Sequence, residues 1–299
     1  IKYENFSFLT ANNFHFYLNV ADQGVTGNSG LVFDKLELKI KKIKININKY
    51  DSVMTSRKSS KGANLENSYV TVNNIKIAYN INAKPRVVKL EGVTLKSDTN
   101  VLKGNIVQEL PVKVKTITIP GFKPMSLTMR LWVNNLSEEA YAKYEKEMST
   151  KPLNALELSK VITKMIAGKP EFGIDKASLT VGDKKVVTNF LFKGVPLKKG
   201  DIISFLNFKT AFYLKTNLVA PKVTLRQIMT MVSYLTTDLS ALAKTERDAK
   251  ISSEIDSQIK TWLEKKYISE SKESYQVELE ISKGKMFFNS ERLRSFLFP

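Results

Sequence analysis

The sequence predicts an α+β fold, mainly a long antiparallel, curved β-sheet covered by two pairs of amphipathic helices. Three observations carry this. Apolar and charged residues alternate over 35–48, the same period of two recurs as far as about Val133, and two later blocks switch to helical spacing behind capping signatures.

In Lys35 to Ile40 the apolar residues Leu36, Leu38 and Ile40 share one face, and Lys35, Glu37 and Lys39 take the other. The pair Lys41–Lys42 reverses the phase, because Ile43, Ile45 and Ile47 fall on odd positions. One inserted residue is what a β-bulge does to a strand, so a bulge or bend is expected there, and with it curvature. Alternation returns in Ile75/Ile77/Tyr79/Ile81, in Val112/Val114 and in Leu127/Met129/Leu131/Val133, punctuated by Gly and Pro. One wet and one apolar face per strand is an antiparallel habit.

Asn135-Leu-Ser-Glu138 and Asn154-Ala-Leu-Glu157 read as N-caps with an acidic residue three positions on, opening helices over 137–148 and 155–167. Gly168 and Pro170 stop the second. Strands Gly173–Val181 and Val186–Phe192 flank a Gly182-Asp183 turn, a hairpin signature. A strand over Asn207–Leu218 leads through Pro221 to Thr224-Leu-Arg-Gln227, which reads as a capping box before Leu225, Ile228, Met229, Val232 and Leu235. Ile251, Ile255, Ile259, Trp262 and Leu263 mark a last helix, and Tyr275–Ile281, Lys283-Gly284 and Lys285–Phe288 a closing hairpin. The order of strand, then helices, occurs at 126–167 and again at 207–267, a degenerate internal repeat. A soft boundary separates a β-rich half, 1–134, from an α+β half, 135–299.

The balance of 47 basic against 29 acidic residues gives +18, which invites a nucleic-acid or anionic-membrane reading. Only seven of the basic residues are Arg, the side chain suited to bidentate phosphate and base contacts, and the Lys are spread along the chain. The charge therefore describes a wet, Lys-biased surface rather than a nucleic-acid site. Lys39, Lys41, Lys42 and Lys44 are the candidate contact to an anionic surface.

Catalytic constellations are hard to find. With no Cys and one His, His15, thiol nucleophiles, Ser-His-Asp arrangements and His-based metal sites lack their residues. Acidic residues sit in helix first turns (Glu138, Glu139, Glu157) or beside turns (Asp183, Asp201), where capping and solvation explain them. Gly-rich phosphate loops and calcium loops are absent from the sequence. The basic, Ser-rich stretch 56–62 reads as a loop between strands, with an anion-binding or regulatory loop as the sharper alternative. No catalytic, cofactor-binding or metal-ligating residues are expected, and the chain is expected not to be an enzyme.

The C-terminal third combines Leu263, Lys266, Tyr267 and Ile268 with Tyr275-Gln-Val-Glu-Leu-Glu-Ile, Lys283-Gly-Lys and Phe288-Asn289. This run resembles the closing motif of the YdgA/YihF-like bacterial family of unknown function, whose members are cell-envelope proteins. The motif's final Asn-Gly is Asn289-Ser290 here, and its Gly before the last strands is replaced around Lys266-Tyr267. The resemblance implies a periplasmic domain tethered to the inner membrane by an N-terminal segment; a chain that opens mid-strand at Ile1 suits that expectation. It brings no catalytic residues. The function expected is a non-catalytic interaction or scaffold domain, with envelope proteins or an anionic membrane surface as partners. The alternative is a carrier of lipid or another hydrophobic ligand in an apolar groove formed by the curved sheet.

Overall fold

A computed structural model describes residues 8–21, 26–40, 43–81, 84–150, 155–195, 210–237 and 242–293. It contains one large, curved, wholly antiparallel sheet and four helices, in agreement with the expected fold class. Strands β1 (Phe8–Asn12) and β2 (His15–Ala21) lie end to end along one edge of β3 (Thr26–Ile40). A meander follows through β4 (Ile43–Lys58), β5 (Asn64–Ile81), β6 (Lys84–Leu102), β7 (Asn105–Thr118) and β8 (Met125–Ser137). The longest of these, β6, has 19 residues and spans about 60 Å at ~3.3 Å per residue.

Helices α1 (Glu138–Thr150) and α2 (Ala155–Ala167) then lead to β9 (Glu171–Val181), β10 (Lys184–Gly194) and β11 (Phe212–Pro221). Helices α3 (Lys222–Thr236) and α4 (Lys244–Glu264) precede β12 (Ser269–Glu270), β13 (Ser274–Ser282), β14 (Lys285–Phe288) and β15 (Glu291–Leu293). The repeated order seen in the sequence is a repeat of topology. Each helical pair joins two strands that are antiparallel neighbours, β8 to β9 and β11 to β13. One sheet runs across position 134, because β8 bonds to β7 on one side and to β9 on the other.

The register corrects one expectation. The bend expected at Lys41–Lys42 falls outside the described residues, but Ile40 stands opposite Ile43 in an antiparallel pair. Residues 35–48 are thus two strands of a hairpin, not one bent strand. Elsewhere the tight turns follow local chemistry. Lys103-Gly104 and Lys283-Gly284 both have positive φ at both positions, the pairing that matches the twist of a two-residue hairpin.

The curvature has another origin. In β8, Met125 and Leu127 lie two residues apart on one face, yet their β7 partners, Ile117 and Val114, are three apart. The same three-residue step runs on through Leu90 and Val93, Ile75 and Val72, Ile47 and Tyr50, and Leu36 and Phe33. Each of these five strands inserts one residue at the same line, and Lys49 and Gly92 adopt positive φ on it. A line of such steps bends a sheet and raises its twist.

Helix starts are set by neighbouring backbone. Ser137, not Asn135, caps α1, its hydroxyl accepting the Ala140 N–H at 3.3 Å; Asn135 has φ 56° beside the step in β7–β8 pairing. Asn154 lies outside the described residues. The expected capping box at Thr224 is not formed, because α3 starts earlier, directly after Pro221. Proline at that place presets φ and has no N–H to leave unpaired. Thr224 consequently sits inside the first turn, fully buried, with its hydroxyl unpartnered. Among the described residues no helix is long and apolar enough to cross a membrane.

α4 buries Ile251, Ile255 and Ile259, one stripe at four-residue spacing, against Ile268 and Tyr275. Ile255→Ala should therefore lower the unfolding free energy by about 2–5 kcal/mol in urea denaturation followed by circular dichroism. Leu156→Ala, at an exposed position of α2, should change it by no more than about 0.5 kcal/mol.

Candidate functional site: the apolar face of the sheet

Cross-strand partners point to the same face, so the register defines the apolar surface row by row. The row at the inserted line is Phe33, Tyr50, Val72, Val93, Val114 and Leu127. Beside it runs Val70, Leu95, Val112 and Met129.

Both helical pairs sit on this face, at opposite ends of β8. Leu136 and Val133 pack with Ile106, Leu65, Tyr141 and Met165 beneath α1 and α2. Met125 packs with Ile119, Val181, Ile228 and Met231 beneath α3. Met125 and Val133 are eight residues apart with unbroken alternation in β8, so the two helical caps share one face and leave Leu127, Met129 and Leu131 between them.

Phe33, Val72 and Val114 are buried without belonging to any of the three helix-backed clusters. Side chains on a flat, uncovered sheet stay partly wet, so at these three positions the apolar face is covered by something other than the helices of those clusters. Phe33 and Tyr50 add a stacked contact at 4.8 Å. Val70, Val93, Leu95, Val112, Met129 and Leu131 are only half-buried.

Toward its far end the face carries a buried charge. Ile43, Tyr79 and Arg86 form one row, and Ile81 opposite Lys84 lies beyond it. Arg86 is 8% exposed, and its guanidinium lies 4.1 Å from the centre of the Tyr234 ring on α3. Its Nε has no hydrogen-bond partner, and among the described residues it joins no ion pair. The Tyr79 hydroxyl donates to the Leu235 carbonyl at 2.8 Å. Burial raises the pKa of that phenol, against the lowering effect of Arg86.

The outer face is wet. Lys39 and Lys44 stand opposite each other there, and Lys44 pairs with Glu37 at 2.6 Å. That bond, assisted by the charges of Lys35 and Lys39 and opposed by desolvation, holds the Glu37 carboxyl below its ordinary value. Lys41 and Lys42 lie outside the described residues. His15 is exposed on β2 opposite Val32. Among the described residues no three His, Asp or Glu side chains are grouped to hold a metal. Sequence reasoning missed Arg86, whose only signal is a cation at an apolar position of an alternating strand.

Of the stretch 56–62 expected as a loop, residues 56–58 belong to β4, and the loop itself, 59–63, is tied to α1 rather than left free. Glu138 is the one buried carboxylate among the described residues, and its Oε1 accepts the Lys61 N–H at 2.9 Å and the Ser60 hydroxyl at 3.2 Å. Glu145 accepts the Asn64 N–H at 2.7 Å. Hydrogen bonding, led by Ser59, outweighs desolvation and lowers the Glu138 pKa.

A family model, "Bacterial protein of unknown function (DUF945)", matches residues 6–294. The chain belongs to that family. Comparison with curated proteins and with solved structures gave no match.

Because the folded pKa of Glu138 is depressed, its contribution is complete above the ordinary value of 4.5 and is lost as pH falls through the lowered one. Glu138→Gln should cost about 1–3 kcal/mol and speed tryptic cleavage at Lys58 and Lys61 at pH 7, with a smaller difference from wild type at pH 3.

Proposed function

We propose, taking membership of that bacterial family as premise, that this domain is a non-catalytic binding module of the cell envelope that holds a long hydrophobic ligand against its apolar face. The observation that carries the reading is the stretch of half-buried apolar rows between the two helical caps. Apolar rows that the helices do not back keep part of their surface in water, which is costly and characteristic of a binding surface. Its dimensions suit an extended acyl chain, since five strands at about 4.8 Å spacing span roughly 20 Å.

The envelope address rests on the family resemblance, and a Lys-rich outer face suits an anionic membrane surface. A protein partner, the other function expected from the sequence, has support at a different place. Strand β2 is an edge strand with no charged side chain from His15 to Val20, and Phe14, Phe16, Leu18 and Val20 are each more than half exposed. Such an edge is a template for strand addition. Crosslinked pull-down with Leu18→Lys as control tests it; equal recovery of partners by both chains would remove that reading.

For the groove, native mass spectrometry of the delipidated protein with hexadecanol should show a bound adduct, and Met129→Asp, in the half-buried row beside the buried one, should weaken it at least tenfold without changing the circular dichroism. A folded protein that never retains the alcohol would overturn the proposal.

A further inference from the structure

We infer that the hydrophobic ligand carries an anionic headgroup, a carboxylate or a phosphate, received by Arg86 toward the far end of the apolar face. This rests on the groove reading above and adds the chemical class of the ligand.

A guanidinium this deeply buried normally has a carboxylate or a full set of acceptors, because an unpaired buried charge is strongly disfavoured. Arg86 has neither: its Nε is unpartnered and no ion pair reaches it among the described residues. Tyr234 covers one face of its plane at 4.1 Å, which fixes the orientation while leaving the in-plane N–H donors available. The Tyr79 hydroxyl hydrogen is committed to the Leu235 carbonyl. Carbonyls in the last turn of α3 supply only a partial counter-charge, about half an elementary charge at most. What the group lacks among the described residues is a planar anion with two oxygens, the partner a guanidinium binds best.

Its position agrees with that role. Arg86 stands one row in from the end of the β5–β6 pairing, opposite Tyr79, which is itself opposite Ile43. Ile43 is 43% exposed, so the row is open to solvent at that end. An acyl chain with its head in this row would place the headgroup on Arg86 and leave its tail on the half-buried rows beyond the helix-packed Val88.

Three ligands of equal chain length separate the possibilities: palmitate, hexadecyl phosphate and hexadecanol, titrated against wild type and Arg86→Met by native mass spectrometry and by thermal shift. At least one acid should bind wild type tenfold or more tighter than the alcohol, and Arg86→Met should collapse that ratio to within twofold. The preferred acid tells a fatty-acid carboxylate from a lipid phosphate. Without ligand, Arg86→Met should melt no lower than wild type, since it removes a charge that the empty protein leaves unpaired. Arg86→Lys, which keeps the charge but loses the fork, should fall between the two. Equal binding of all three ligands by wild type, or a preference that survives Arg86→Met, overturns the headgroup assignment and leaves the groove standing. A lower melting point for unliganded Arg86→Met also overturns it, because the fold then satisfies Arg86 by itself. Failure of every ligand, alcohol included, overturns the groove and the headgroup together.

Discussion

Six side chains from six successive strands, Phe33, Tyr50, Val72, Val93, Val114 and Leu127, stand opposite one another across the sheet, and the rest of the molecule depends on their staying in step. A slip of one residue between any two strands would send an entire apolar set to the lysine-covered side. Each such side chain, fully buried, is worth about 1.5–3 kcal/mol, an upper figure because the unfolded chain already hides some apolar surface. Register is therefore strongly specified where the row is most buried. The inserted residues along the same line then decide which way the sheet bends.

The helices do not back the whole apolar face. The two pairs close its two ends, where strand curvature alone leaves Leu136 and Met125 without cover. The division of labour explains the uneven character of the helices. α4 buries a stripe of three isoleucines, whereas α1 is rich in charge and uses two carboxylates, Glu138 and Glu145, to hold the chain that follows β4. The two faces of the sheet are chemically distinct as a result, with ion pairs such as Lys44–Glu37 and Arg130–Asp175 on the outer side and a buried guanidinium on the apolar one.

Much of this was legible in the residues. Alternation identified the strands, α2 has the bounds its spacing predicted, and the turns at Gly182 and Lys283-Gly284 lie where Gly allows positive φ. The misreading at Lys41–Lys42 has a definite cause: a two-residue hairpin and a one-residue bulge both place residues three apart on the same face. Local pattern cannot separate them; pairing partners do. The true steps, at 33/36, 47/50, 72/75, 90/93 and 114/117, carry that same signature, but each is unremarkable until register aligns them. Thr224 misled because its capping pattern was satisfied in sequence while Pro221 had already opened the helix. Arg86 was invisible for a simpler reason: one cation in an alternating strand looks the same whether it faces water or the core.

The order of the strands has a consequence for assembly. From β3 to β11 every strand bonds to the one made just before it, and the two helical excursions return the chain to a neighbouring place. Contacts of short sequence separation keep loop-closure costs low and favour quick pairing. A chain emerging from its N-terminus can thus add each strand to an edge already waiting, advancing a single growing front. In the finished molecule the edge left at the starting end consists of β1 and the uncharged β2.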